Sequence, residues 1–356
     1  MKVKSNKPSL SRKKALSILM AVTNGVNSLA PLAMPLIAVS TEMPKVREGK
    51  ADDLLALSFN RGGQLLDSLF FTTAYAAYTA DVGAGTVNGE VIADGGAQEV
   101  HGTGSTTNVS VTSGTQNVYN GGSTTGTTIS AALAARGDQN VMDGGSATGT
   151  TIGMNGWQTV WSGGIASGTT INDWGHQHVS SGGIASGTII NLNGSQIVSG
   201  GGSADITTIN NGGGQSVFGS ATNTTIDHGS QYVYGSASGT TMNGFQTVYS
   251  GGRVDNTTIN GGLQDVYGSA TGTTINSGGE QYVNSGGSAI GTAISGGVQN
   301  VEGSATSTTI NSGTQNVSSG GSATSTTISG GTQWVLSGGS ASGTTISGGR
   351  QHVESG

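Results

Sequence analysis

The sequence predicts an all-β chain, a parallel β-helix (β-solenoid) of about 15 coils of 15–19 residues. Three observations carry this. Two anchor tripeptides alternate without exception from about residue 98 to the end. The segment from the first anchor to the second changes length only by two residues. The composition, with 65 Gly in 356 residues, 33% hydrophobic and 9% charged, leaves no room for long helices or a large conventional apolar core.

The first anchor is Gln-x-Val, from Gln98/Val100 and Gln116/Val118 through to Gln351/Val353, fifteen times in all. The second is Thr-x-Ile, as in Thr127/Ile129 and Thr344/Ile346. It occurs at fourteen sites, with Val109 and Met242 each replacing Ile once. From Val to the next Ile the gap is eleven residues, as in VLSGGSASGTTI (335–346), or nine, as in VYGSATGTTI (266–275). Strand side chains alternate faces with period two, so a change of two keeps every inward residue inward. From Ile to the next Gln the filler is Asn, Ser and Gly, which is turn chemistry.

Each repeat therefore reads as two short strands and two Gly-rich corners. One coil alone buries nothing, whereas stacked coils form ladders. Fifteen rungs at about 4.8 Å give a rod of roughly 70 Å. The general crossover preference makes it right-handed. Val and Ile point inward, and so do the Gln and Thr two residues before them; inward Gln can form amide ladders. The Ala of the corner is small because that place is tight. The residue between Gln and Val points outward and varies, as in Glu99, His178, Tyr232 and Trp334. The middle of Thr-x-Ile also points outward and is Thr in 11 of 14 rungs.

Residues 1–40 read as a secretion signal. The basic MKVKSNKPSLSRKK precedes apolar ALSILMAV and LAPLAMPLIAV. Candidate cleavage sites follow Ala38-Val39-Ser40 or Ala74-Tyr75-Ala76. Residues 41–80 form a junction or N-terminal cap, with a short helix at 51–59, and residues 81–356 are the solenoid. After residue 80 only Arg136, Arg253 and Arg350 stand against 14 Asp and Glu, so the body carries about −11 (3 − 14). That charge argues against nucleic acid as a partner. The absence of Cys excludes disulfides and thiolate metal sites.

The Gly-rich corners lack the Lys of a phosphate loop, since no Lys follows residue 50. Asp residues hold no common phase, so calcium ladders are not expected. His176 and His178 share one strand face but have no third ligand in phase. No metal, cofactor or catalytic set is read, and an enzyme such as a carbohydrate-active β-helix would need a charged cluster that is missing. Arg136-Gly137-Asp138 ends an insertion, since Ile129 to Gln139 spans ten residues, and forms a possible receptor loop. The outward Thr row carries the alternative reading of an ice- or surface-binding solenoid; its bland counterpart is that Thr suits an exposed strand.

The pattern S-G-G-x-A-x-x-T-x-I-x-x-G-G-x-Q-x-V resembles the repeats of AIDA-type autotransporter adhesins of Gram-negative bacteria. VSSGGSATSTTISGGTQWVLSGGSASGTTISGGRQHV (317–353) carries it twice, and the resemblance spans roughly residues 90–356. It implies an exported, surface-exposed or secreted passenger used in attachment to host cells, self-association between cells and biofilm growth. It also implies a heptosyltransferase partner that modifies repeat Ser residues. The positions matching the pattern before the Gly pair are Ser162, Ser181, Ser250, Ser285, Ser319 and Ser337. Those after it are Ser146, Ser203, Ser288, Ser322 and Ser340, and short coils offer Ser220, Ser236, Ser269 and Ser304. The family's outer-membrane β-barrel translocator does not appear before Gly356, so the expectation is a fragment of a longer autotransporter or a stand-alone secreted solenoid.

Overall fold

The computed structural model describes residues 79–132 and 134–354. The chain divides into two units, Met1–Ala74 and Tyr75–Gly356, and the solenoid is the second. The expected secretion signal and nearly all of the junction, its helix included, lie outside the described residues. The first described strand is Thr79–Asn88. Among the described residues there are strands and turns and no helix.

Most coils have three strands where two were expected; Ala97–Thr107, Ala293–Val301 and Thr309–Val317 each run two of these segments together. One coil runs Gly156–Val160, Ile165–Ser167 and Thr170–Ile171. Each strand pairs in parallel with its equivalent on the coil before and the coil after: Gln158 faces Gln139 and Gln177, Ala166 faces Ala147 and Ala185, and Ile171 faces Ile152 and Ile190. Three parallel sheets result, each one strand of every coil deep. The additional strand is the three-residue Ser-Ala-x segment. Its Ala belongs to a strand, pointing inward, and not to a corner. The pairing also shifts one assignment made from sequence. Val111 faces Ile129, so Val111 fills the Ile place, and Val109 sits where other coils have the buried Thr.

The corners explain the glycines. After the first strand, Gly164 N–H donates to the Trp161 carbonyl at 2.9 Å, closing a turn whose third residue, Gly163, has φ of +75°. That is a type II turn, which needs a left-handed third residue. A Cβ on Gly164 would stand 2.3 Å from the Val141 carbonyl oxygen of the coil before, so no other residue fits there. Between the second and third strands one left-handed residue bends the chain: Gly168 at φ +63°, Gly187 at +67°, Asn223 at +54°. This residue also resolves a parity problem. Eleven and nine are both odd, so Val and Ile could not both face inward along uninterrupted strand; the left-handed residue resets the alternation.

The interior has two apolar columns and a polar wall between them. The Ile residues of the third strands, Ile92 to Ile328, form one buried cluster. The Val and Ala residues of the first and second strands cluster separately, as in Val217, Ala221, Val233 and Ala237. Burying each Val or Ile contributes about 1.5–3 kcal/mol. Between the columns stand buried Gln and Thr. The Gln281 amide makes four hydrogen bonds. Its Nε2 donates to Gln264 Oε1 at 2.6 Å and to Thr273 Oγ1 at 3.1 Å, and its Oε1 accepts from Gln299 Nε2 at 2.7 Å and from Thr292 Oγ1 at 3.4 Å. The Gln-to-Gln bond repeats without a break from Gln98 to Gln351, always donated toward the N-terminal coil. At its N-terminal end Gln98 Nε2 donates to the Glu90 carboxylate. Burial pushes the Glu90 carboxyl above its ordinary value, and the Gln98 bond pulls it part of the way back.

Two outcomes follow from this packing. Gln264→Leu should cost roughly 2–4 kcal/mol in urea unfolding, because it removes three buried bonds and leaves one N–H of the Gln281 amide unpaired. Deleting Ser181 and Gly182 together should convert a long coil to a short one and preserve the cooperative transition. Deleting Gly182 alone should turn Ala185 outward and abolish folding of that coil, seen as loss of protection in amide exchange.

Candidate functional site

The solenoid's interior is consumed by packing, so chemistry has only the outer faces and corners. The predicted Ser residues form two rows. Ser162, Ser181, Ser250, Ser285, Ser319 and Ser337 occupy the second position of the first corner and are all exposed. The geometry around them is set by the following coil's glycine. The Ser162 Oγ lies 2.6 Å from where a Cβ on Gly182 would stand, and Ser181 and Ser319 relate to Gly201 and Gly338 at 2.5 and 2.6 Å. A glycine there keeps the hydroxyl uncovered; a larger residue would collide with it.

Ser146, Ser203, Ser288, Ser322 and Ser340, with Ser220, Ser236, Ser269 and Ser304, open the second strand of their coils, next to the inward Ala. They point outward and are exposed or half-buried. Ser203, Ser220 and Ser236 stack in register, as do Ser269, Ser288, Ser304, Ser322 and Ser340. Ser105 and Ser123 belong to the same row and were missed, because Thr106 and Thr124 replace the Ala that marks it. Thr148, Thr222, Thr271, Thr306 and Thr324 add hydroxyls two residues further on. The outer face of the second sheet is thus a lattice of hydroxyls, spaced about 4.8 Å across strands and roughly 6.7 Å along them. Ile165, Ile184 and Arg253 interrupt it. The Thr row of the third strand also points outward, broken by Ile189 and Ala293.

Arg136, Gly137 and Asp138 lie where the insertion meets the first strand of its coil, Gly137–Val141. Arg136 is turned onto its neighbours. Its Nε donates to Asp138 Oδ1 at 2.7 Å, and its guanidinium lies 4.5 Å from the Trp157 ring centre. His176 packs against Trp157 at a tilt of 30°, with ring centres 4.4 Å apart, while His178 Nε2 meets Ser199 Oγ at 2.7 Å. Burial, and secondarily the Arg136 charge, push the His176 imidazole below its ordinary value. Asp205, at the end of a second strand, is held low by donated bonds from Thr222 and Asn223. Sequence reasoning passed over Trp174. It occupies the left-handed third position of the corner before the first strand, at φ +58°, where neighbouring coils have Asn155 and Asn193. The Gly175 N–H closes that turn on the Asn172 carbonyl at 2.8 Å.

A bulky residue held left-handed costs about 1–2 kcal/mol relative to Gly. Trp174→Gly should accordingly raise the stability of the rod by about 1 kcal/mol in urea unfolding.

The chain is similar to the TibA55-350 fragment in its TibC-catalysed hyper-glycosylated crystal structure, at 38% identity and a TM-score of 0.55. The match covers 78% of this chain and 92% of that one. The Dettilon tailspike protein gp208 matches at 12% identity and TM-score 0.26, over 76% of this chain and 62% of its own. The Streptococcus pneumoniae surface protein and adhesin PfbA matches at 10% and 0.19, over 77% and 89%. Neither of these two bears on function. No family model and no curated protein matches the sequence. The repeat, the three-sheet solenoid and the TibA match converge on one conclusion: the chain belongs to the AIDA-type autotransporter adhesins.

Proposed function

We propose that this chain is the surface-exposed or secreted passenger of an adhesin, a rod for attachment to host cells, for autoaggregation and for biofilm growth. Its Ser rows accept O-linked heptose from a heptosyltransferase. The observation that carries the proposal is the hyper-glycosylated state of the 38%-identical TibA fragment, set beside two rows of uncovered Ser hydroxyls on this chain. The chemistry is consistent with the geometry. An acceptor hydroxyl needs access and not activation, because the transferase supplies the catalytic groups. The corner Ser stand on turns that leave them open on the solvent side, and the strand Ser stand in regular outward rows. The body charge of about −11 (3 − 14) would keep such rods soluble and apart unless specific contacts join them.

Co-expression with a heptosyltransferase should add increments of about 192 Da per sugar to the intact mass. Peptide mapping should place them on the two outward rows, with Ser162, Ser181, Ser319 and Ser337 among them, and none on buried Thr150 or Thr169. An unchanged intact mass would remove the glycoprotein part of the proposal.

A further inference from the structure

We propose that the corner around Trp174 is a binding site for an uncharged hexose unit of a glycan. Trp174 is 55% exposed, and no other described aromatic ring covers it. This sets it apart from the aromatic residues of the rod that stack on one another. Phe218, Tyr234 and Tyr249 stack nearly parallel, with centres 4.6 and 4.3 Å apart, and Trp334 stacks on His352 at 4.2 Å. In those groups the ring faces are spent on each other. The Trp174 indole faces are not, and folding gives no reason for a Trp there, since Asn serves the same turn on both adjacent coils.

The surroundings specify the ligand. Trp174 sits with Met154, Asn155 and His176 around an open pocket. Asn193 flanks it on the next coil and donates to Asp173 Oδ1 at 2.8 Å. His176 packs at a tilt against Trp157, whose ring Arg136 overlies, and Asp138 holds the Arg. An apolar ring face bordered by amides, a carboxylate and an imidazole matches a pyranose, which presents one C–H face and a rim of hydroxyls that both donate and accept. Charge excludes an anionic sugar as the preferred ligand. The cation at the site, Arg136, is already neutralised by Asp138, and the body around it is acidic.

The inference deepens the adhesin reading by naming a receptor chemistry, and rests on that reading only for the glycan's location on a host surface. The test uses the purified full chain and a panel of immobilised neutral and sialylated oligosaccharides ending in glucose, galactose, mannose or N-acetylhexosamine. At least one neutral member should bind, and Trp174→Gly should weaken it about tenfold or more while the chain stays folded by circular dichroism. Trp334→Ala should leave binding unchanged, because that ring lies in a different stack. Binding of no neutral sugar, preference for the sialylated members, or an unweakened Trp174→Gly variant overturns the site. Attachment of the chain to cultured cells, measured in parallel, separates the two claims. Attachment unaffected by Trp174→Gly leaves an adhesin without this site. Sugar binding without attachment leaves the site and removes the adhesin.

Discussion

The rest of this fold depends on the amide ladder of its glutamines. A thin solenoid cannot bury enough apolar surface to fix its own register, because each coil contributes only a Val, an Ile and an Ala to the interior. The Gln side chain supplies what these lack. It bridges to Thr across the interior and to Gln along the axis, and it is satisfied only when neighbouring coils align residue for residue. A slip of one position would strand buried amides with no water to replace their partners. The apolar columns give the stacking its strength, and the polar wall between them gives it its register.

That division of labour frees the exterior. The outward position between Gln and Val varies from Glu99 to Trp334 without cost to the ladder. Two proposed uses of this freedom share one rod. Hydroxyls repeat along one sheet and one corner, where regularity suits an enzyme that treats many sites alike. The corner near the insertion is instead irregular: Arg136, Trp157, Trp174 and His176 occur together there. Repetition suits decoration, and departure from it suits recognition.

Much of this was legible in the sequence. Fifteen Gln-x-Val and fourteen Thr-x-Ile tripeptides reveal the period, and the two-residue length change reveals which residues face inward. The second strand was not legible as a strand, for a physical reason. It is three residues long with a single inward residue, so it shows no alternation, and its inward Ala looks like corner packing. The same blindness misplaced Val109, because the left-handed Asn108 hides a reset of parity that no spacing rule carries. The Ser residues proposed as acceptors were read as a repeat pattern, but their division into corner and strand rows required the pairing. Trp174 was invisible because a Trp in a left-handed turn contradicts the residue preference of that position.

The ladder has a direction, and the direction makes coils interchangeable. Every Gln gives its N–H toward one neighbour and its oxygen toward the other, so each coil meets the next through the same pair of complementary surfaces. A duplicated stretch of 15–19 residues in the gene would insert a coil that fits both neighbours at once, and a lost one would let them rejoin. Length is therefore a quantity that heredity can adjust in steps of about 4.8 Å without redesigning any contact. How long such a rod is depends only on the number of repeats, and selection can tune that count without touching the outward residues of any one coil.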